Sequence, residues 1–475
     1  MAEASETLEL EDIQGIVLRP YGDLKHASYV FLRIDDPGRA RAWLRDLHGE
    51  ITRASQVIGV EKKVRAAQRM NVAIGWSGLA ALGLAEDALA TFPEELREGM
   101  DERERARVLG DVGDSAPQHW HFGVGSPEVD ILLFLYAGGD EELRRLEKRE
   151  LERLRGVAVM HVECTTALPD GKEHFGFTDG IAQPAVRGDR DPLVPGQAPV
   201  PAGEFLLGYR NDYDKQPWTP TVAGSSHARA QRLRPCRADG PHPDSHRRFD
   251  LGENGTYVVL RKLEQDVEGF WSYFRARAAE IAAPDEVGDV ATWLASKCVG
   301  RWPSGAPLVL SPHQDDPAEA HPARRDDFRY SDDPEGLRCP FGAHIRRANP
   351  RDSRDRVGGG SISDVSPRRI LRRGRTYISS DGGQRGVLFM CMCANVRRQF
   401  EFVQQTWLAN RRFATLDQDP DPLVGGGRPG DGFTVPAHPY RYRLNDLPRF
   451  VTVRGGGYFF MPGLRALGFL AEDPT

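Results

Sequence analysis

Asp130-Ile131-Leu132-Leu133-Phe134-Leu135-Tyr136 is an unbroken apolar run closed by Gly138-Gly139. It is too short for a buried helix and reads as a strand covered on both faces. Asp140 to Arg155 follows as a charged amphipathic helix, and Val157 to Thr166 as another strand. Upstream, Tyr29 to Asp35 reads as a strand. From Gly38 to about Ile51 the spacing of Ala40, Trp43, Leu44 and Leu47 predicts a helix. Asn71 to Trp76 is the next strand, with Ser77 as cap of a short helix carrying Leu79, Leu82 and Leu84. The order is strand, helix, strand, strand, helix, strand. That is the split βαβ or ferredoxin-like unit, an antiparallel sheet with helices on one face.

The second half repeats the order without repeating residues. Thr256 to Arg261 is a strand, and the helix through Val267, Phe270, Trp271 and Phe274 follows it. His344 to Ala348 is read as the second strand, Val387 to Cys391 as the third, and Gln399 to Leu408 as the helix after it. Arg449 to Val453 and Gly457 to Met461 read as two late strands. The expected class is α+β, with two tandem ferredoxin-like domains over 1–225 and 226–475. Arg210 to Asn254, rich in proline and arginine, is expected as a long surface loop, with His227, His242 and His246 as surface histidines. The charged run Asp101 to Arg107 reads as a solvated helix face.

Composition narrows the function. The chain has 475 residues, 40% hydrophobic and 28% charged, with a formal charge of −6. No global basic field is present to attract nucleic acid or an anionic membrane. No apolar run reaches the roughly 20 residues that span a bilayer. Met1 to Asp12 is acidic and polar, which points to the cytoplasm. Six cysteines without a Cys-x-x-Cys make no disulfide framework, and Cys391 and Cys393 read as small core residues.

Three stretches carry chemistry. Cys339-Pro340-Phe341-Gly342-Ala343-His344 leads by a turn to one histidine, followed by Arg346, Arg347 and Arg351. An imidazole and guanidinium groups so placed suit a metal-bound ring with anionic tails, although a lone histidine by a turn is usually structural. His174 to Pro184 brackets Asp179 with glycines, in the manner of a loop that presents a carboxylate. The plainer reading is an aspartate capping its own turn. Ile370 to Tyr377 sets Arg372, Arg373 and Arg375 around Gly374, which by itself is a basic strand end.

Together these stretches resemble the dye-decolourising peroxidases, in the larger bacterial branch of the family. Gly176-Phe177-Thr178-Asp179-Gly180 matches their Gly-x-x-Asp-Gly motif. Cys339 to Arg351 is similar to the segment of the proximal haem histidine, and Ile370 to Tyr377 to the distal-arginine segment. Thr376 stands where the family has proline, so the count points to Arg372 with Arg373 as its rival. The resemblance also takes in Asp12 to Gly15, Gly110 to Gly113 and Gln399 to Val403.

The resemblance implies a peroxidase with haem b (iron protoporphyrin IX). It would reduce hydrogen peroxide through a ferryl intermediate and oxidise bulky donors such as dyes and phenols. His344 would be the axial ligand, with Asn395 or Glu401 accepting from its other nitrogen. Asp179 would move the proton and Arg372 hold the developing charge. Arg346 and Arg351 are the candidates for the propionates, Arg346 by strand alternation with His344. His174 is the rival base, and Tyr377 and Trp407 are candidate electron relays to a surface site. Two other readings stand beside this one: a non-catalytic protein that transports, stores or senses haem, and an interaction module without cofactor.

Overall fold

The strands of the first half are β1 (His26–Ile34), β2 (Gln68–Ile74), β3 (Ile131–Ala137) and β4 (Val157–Thr166). In this computed structural model the described residues are 7–61, 66–123, 129–168, 171–189, 193–195, 197, 199–227, 229–242, 244–353, 365–379 and 382–474. Residues 1–6 of the acidic N-terminal stretch lie outside them, as does Pro243. Strand β3 is buried along its whole length. The spatial order is β2-β3-β1-β4, all antiparallel, which is the ferredoxin-like order. Helices α1 (Pro37–His48) and α2 (Asp140–Arg153) put Trp43, Leu44, Leu143 and Leu146 onto one face, against Val30, Leu32, Val72 and Leu133. Asp36 caps α1 by accepting the Arg39 N–H at 3.1 Å.

The second half has β5 (Thr256–Gln265), β6 (Leu371–Arg372), β7 (Arg375–Ile378), β8 (Arg385–Cys393) and β9 (Val451–Met461). Its order, β6/β7-β8-β5-β9, repeats that of the first half. Helices α3 (Val267–Ala278) and α4 (Val287–Val299) follow β5. The two halves share one nine-stranded sheet, because Phe460 of β9 pairs with Ile74 of β2. The sheet also curls: Thr376 Oγ1 of β7 donates to the Thr166 carbonyl of β4 at 2.5 Å. Tyr29, Phe134 and Tyr136 thereby pack in one core with Val258, Leu260, Met390 and Tyr377.

Four expectations are corrected. His344–Ala348 is one helical turn, α5, and not a strand. The second strand of that half comes later, from β6 and β7. The two late strands are one, β9, which runs on through Gly455-Gly456-Gly457. The glycines make room there for aromatic and thioether side chains. A Cβ at Gly455 would stand 2.8 Å from the Phe122 ring, and one at Gly456 2.5 Å from the Met100 sulfur. The 210–254 stretch is not a plain surface loop. It carries a small sheet of Thr221–Ala223, Arg234–Pro235 and Arg248–Asp250, with His227 and His242 buried. His227 Nε2 accepts the Ala85 N–H at 3.0 Å, and His242 Nε2 lies 2.7 Å from the Thr219 carbonyl. Neither is a ligand in waiting.

Alternation along β5 splits its residues between two environments. Val258 and Leu260 face the shared core, while Arg261, Leu263 and Gln265 line a cavity on the other face. Phe389 pairs with Arg261, Val387 with Leu263, and Val451 with Gln265, so three strands build one wall.

Candidate active site

The cavity measures about 310 Å³. Its walls are mainly apolar, from Leu263, Val299, Val387, Phe389, Val403 and Val453. Three groups singled out in the sequence meet in it: His344, Asp179 and Arg372.

His344 opens α5, where the Pro-Phe-Gly turn delivers it. Its Nδ1 lies 2.9 Å from Asp421 Oδ2, and its accessible surface turns to the cavity. Burial alone would lower the imidazole's pKa, but the Asp421 carboxylate outweighs it and holds His344 above the ordinary value. Burial pushes Asp421 up, and the charges of His344 and Arg347 more than reverse this, leaving it below the usual range. Asp421 Oδ1 accepts the N–H groups of Leu423 and Val424, both at 3.0 Å. The partner of His344 is therefore neither Asn395 nor Glu401. Asn395 accepts the Arg398 N–H, and Glu401 takes Arg105 and the Tyr458 hydroxyl. Asp421 stands between prolines, in Asp419-Pro420-Asp421-Pro422, which was the one signal available.

In the same cavity, Arg372 Nη1 donates to Asp179 Oδ1 at 3.1 Å and Nη2 to the Ile181 carbonyl at 2.5 Å. Gln183 Oε1 accepts the Arg372 N–H at 3.0 Å. Arg373 points elsewhere and bonds the carbonyls of Ile16 and Val17. His174 also faces away, with Nε2 2.9 Å from the Tyr377 carbonyl, and burial lowers its pKa.

The cations separate by geometry. Arg346 is buried outside the cavity wall, donating to Asp333 and to the Cys339 carbonyl, with its guanidinium 4.4 Å from the Phe341 ring centroid. The alternation argument for Arg346 fails because the segment is helical. Arg347 is likewise spent on carbonyls, among them those of Trp407 and Asn410. Arg351 does line the cavity, tied to Asp326 and lying 3.9 Å from the Phe328 ring centroid. Arg369, which the sequence reading passed over, lines it too and donates to the Ala182 carbonyl at 2.9 Å. Burial lowers its pKa to about 10. Tyr377 and Trp407 are both buried, so neither can touch a bulky donor directly. The Tyr377 hydroxyl has no acceptor among the described residues, and Lys262 Nζ lies 4.8 Å from its ring centroid.

One imidazole and an acid–guanidinium pair therefore line the same apolar cavity. The chain is 30% identical over 504 residues to Dye-decolorizing peroxidase msp1 of Mycetinis scorodonius, covering 98% of this chain and 88% of that protein. It belongs to the dye-decolourising peroxidase family. A bacterial relative, Multifunctional dye peroxidase DyP2 of Amycolatopsis sp., is 29% identical over 490 residues, or 96% of this chain and 95% of that one. A dye-decolorizing peroxidase solved in complex with 2,6-dimethoxyphenol superposes with a TM-score of 0.78 and 26% identity, over 98% of this chain and all of that one. No family model matches the chain. As a dye-decolourising peroxidase the protein is a haem-dependent oxidoreductase. The cavity fits haem: it has apolar walls for the ring, and His344 Nε2 makes no hydrogen bond among the described residues. Among those residues no helix is long and apolar enough to cross a membrane.

Proposed function

We propose that the cavity reduces hydrogen peroxide and draws the electrons from bulky organic donors such as dyes and phenols. The carrying observation is that His344 and the Asp179–Arg372 pair converge on one cavity. In this reading His344 Nε2 would hold the haem iron, and Asp421 would fix its tautomer and raise its basicity. Haem, when bound, would supply the redox-active iron for peroxide reduction. Arg372 engages Asp179 Oδ1, leaving Oδ2 to take the proton from hydrogen peroxide and return it to the leaving oxygen. The Arg372 guanidinium stabilises the charge that develops between them. Arg351 and Arg369 are the cations placed to meet the propionates. Segment 1–225 brings the proton-carrying loop and segment 226–475 the ligand and the arginines. The protein works in the cytoplasm.

A protein that only carried haem would need His344 and Asp421. It would leave the acid–guanidinium pair in the same cavity without a task. The test is haem-reconstituted wild type against His344→Ala, read by haem content and absorption. The variant is expected to lose stable haem and its Soret band. Wild-type haem content and an unchanged spectrum would sink the assignment.

A further inference from the structure

Glu173 lines the same cavity as Asp179 and lies upstream of it in the same loop. It has no part in the chemistry above. Its Oε2 accepts the Phe175 N–H and its Oε1 the Phe177 N–H, both at 2.9 Å. From β5, Gln265 Nε2 donates to Oε2 at 2.5 Å. The backbone closes around it. The Glu173 N–H reaches the Phe177 carbonyl, and the Gly176 N–H the Glu173 carbonyl, both at 2.9 Å. Gly176 supplies the left-handed residue of this turn, at φ 96°. The Trp271 indole N–H donates to the Phe175 carbonyl at 3.2 Å.

All three of these partners of the carboxylate are donors. Burial raises its pKa, and the N–H groups and the Gln265 amide oppose that. The site is thus shaped for an acceptor, and an amide there would turn its own N–H groups toward donors. Asp179 is held more lightly. Its N–H bonds the Gly171 carbonyl at 2.9 Å and its Oδ1 accepts from Arg372, while its side chain stays 46% exposed. Its direction depends on the chain that leads to it.

We propose that Glu173 is the positioning residue of this loop: it locks the 175–177 turn so that Asp179 enters the cavity facing Arg372. The proposal rests on the reading of Asp179 as the proton carrier. A displacement of about 1 Å at a reacting group is enough to slow a reaction about 10²-fold.

The experiment is a double-mutant cycle on haem-loaded protein, with wild type, Glu173→Gln, Asp179→Asn and the double variant. The readouts are the stopped-flow rate of the peroxide step and the affinity for cyanide. Glu173→Gln is expected to slow the peroxide step about 10²-fold and to weaken cyanide binding, with haem content unchanged. In the Asp179→Asn background it should add nothing to either, because the group it aims is gone. Gln265→Leu removes one donor and serves if Glu173→Gln does not fold; it should slow the step about 10-fold and only when Asp179 is present. Equal slowing in both backgrounds, or a wild-type rate in Glu173→Gln, overturns the proposal. A wild-type rate in Asp179→Asn alone removes the reading beneath it.

Discussion

Arg372 is held at its backbone by Gln183 and at its guanidinium by Asp179 and the Ile181 carbonyl. In the proposed mechanism it is preorganised for charge that appears beside it. Arg372→Leu should slow the peroxide step by roughly 10²–10³, about 2.7–4 kcal/mol, while haem stays bound. Stopped-flow mixing with hydrogen peroxide checks this, and an unchanged rate moves the role elsewhere. Two variants separate the candidate bases. Since His174 faces Tyr377, His174→Ala should react with hydrogen peroxide as fast as wild type, and Asp179→Asn should be slow. A slow His174→Ala beside an unaffected Asp179→Asn would return the base to His174. At this scale the three stretches that meet in the cavity, with His344, Asp179 and Arg372, stood out in the sequence because each sits in a local pattern. Asp421 was not, because it meets its partner only through tertiary packing. Arg346 misled because its fate depends on whether five residues form a strand or a helical turn.

Short segments are where the reading of elements failed. His344–Ala348 holds too few residues for periodicity to separate helix from strand. Long periodic elements such as α1 and α2 were legible. So was the late helix, though not its winding. Arg397–Glu401 and Val403–Leu408 are wide, with the Glu401 N–H bonded to the Val396 carbonyl and the Ala409 N–H to the Gln404 carbonyl. Phe400, Val403 and Gln404 of this π-type helix face the cavity. Its C-terminal carbonyls are gathered by Arg347, which donates to Trp407 at 2.7 Å and to Asn410 at 2.9 Å. Arg347→Met would leave these buried acceptors unpaired, at a cost of about 3 kcal/mol or more. The expected outcome is a lower urea midpoint and weaker haem retention. An unchanged midpoint would show that other donors replace the guanidinium.

Over the whole molecule, the repeated ferredoxin-like order was legible, but the merging of the halves into one sheet was not. The joining pair, Phe460 and Ile74, leaves no local signature. Far segments are also tied together at Glu253, which pairs with Arg234 at 3.3 Å and with Arg465 at 3.1 Å. Burial pushes its pKa up from 4.5 to about 7, against the pull of both arginines. A carboxyl raised on folding favours the native state while protonated, and that contribution is lost as pH climbs from 4.5 to about 7. Urea midpoints at pH 5.5 and 8 should therefore fall less in Glu253→Gln than in wild type. The gap should not exceed about 1.4 kcal/mol per pH unit; parallel curves would clear Glu253 of the effect. The place of β9 reaches beyond stability. It lies far from His344 in sequence, yet it stands in the middle of the sheet, and its Val451 and Val453 line the cavity. A nascent chain still on the ribosome short of residue 451 has His344 but no closed wall behind it. The wall that Val451 and Val453 complete is therefore absent until β9 has emerged, and a chain truncated before it should hold haem poorly.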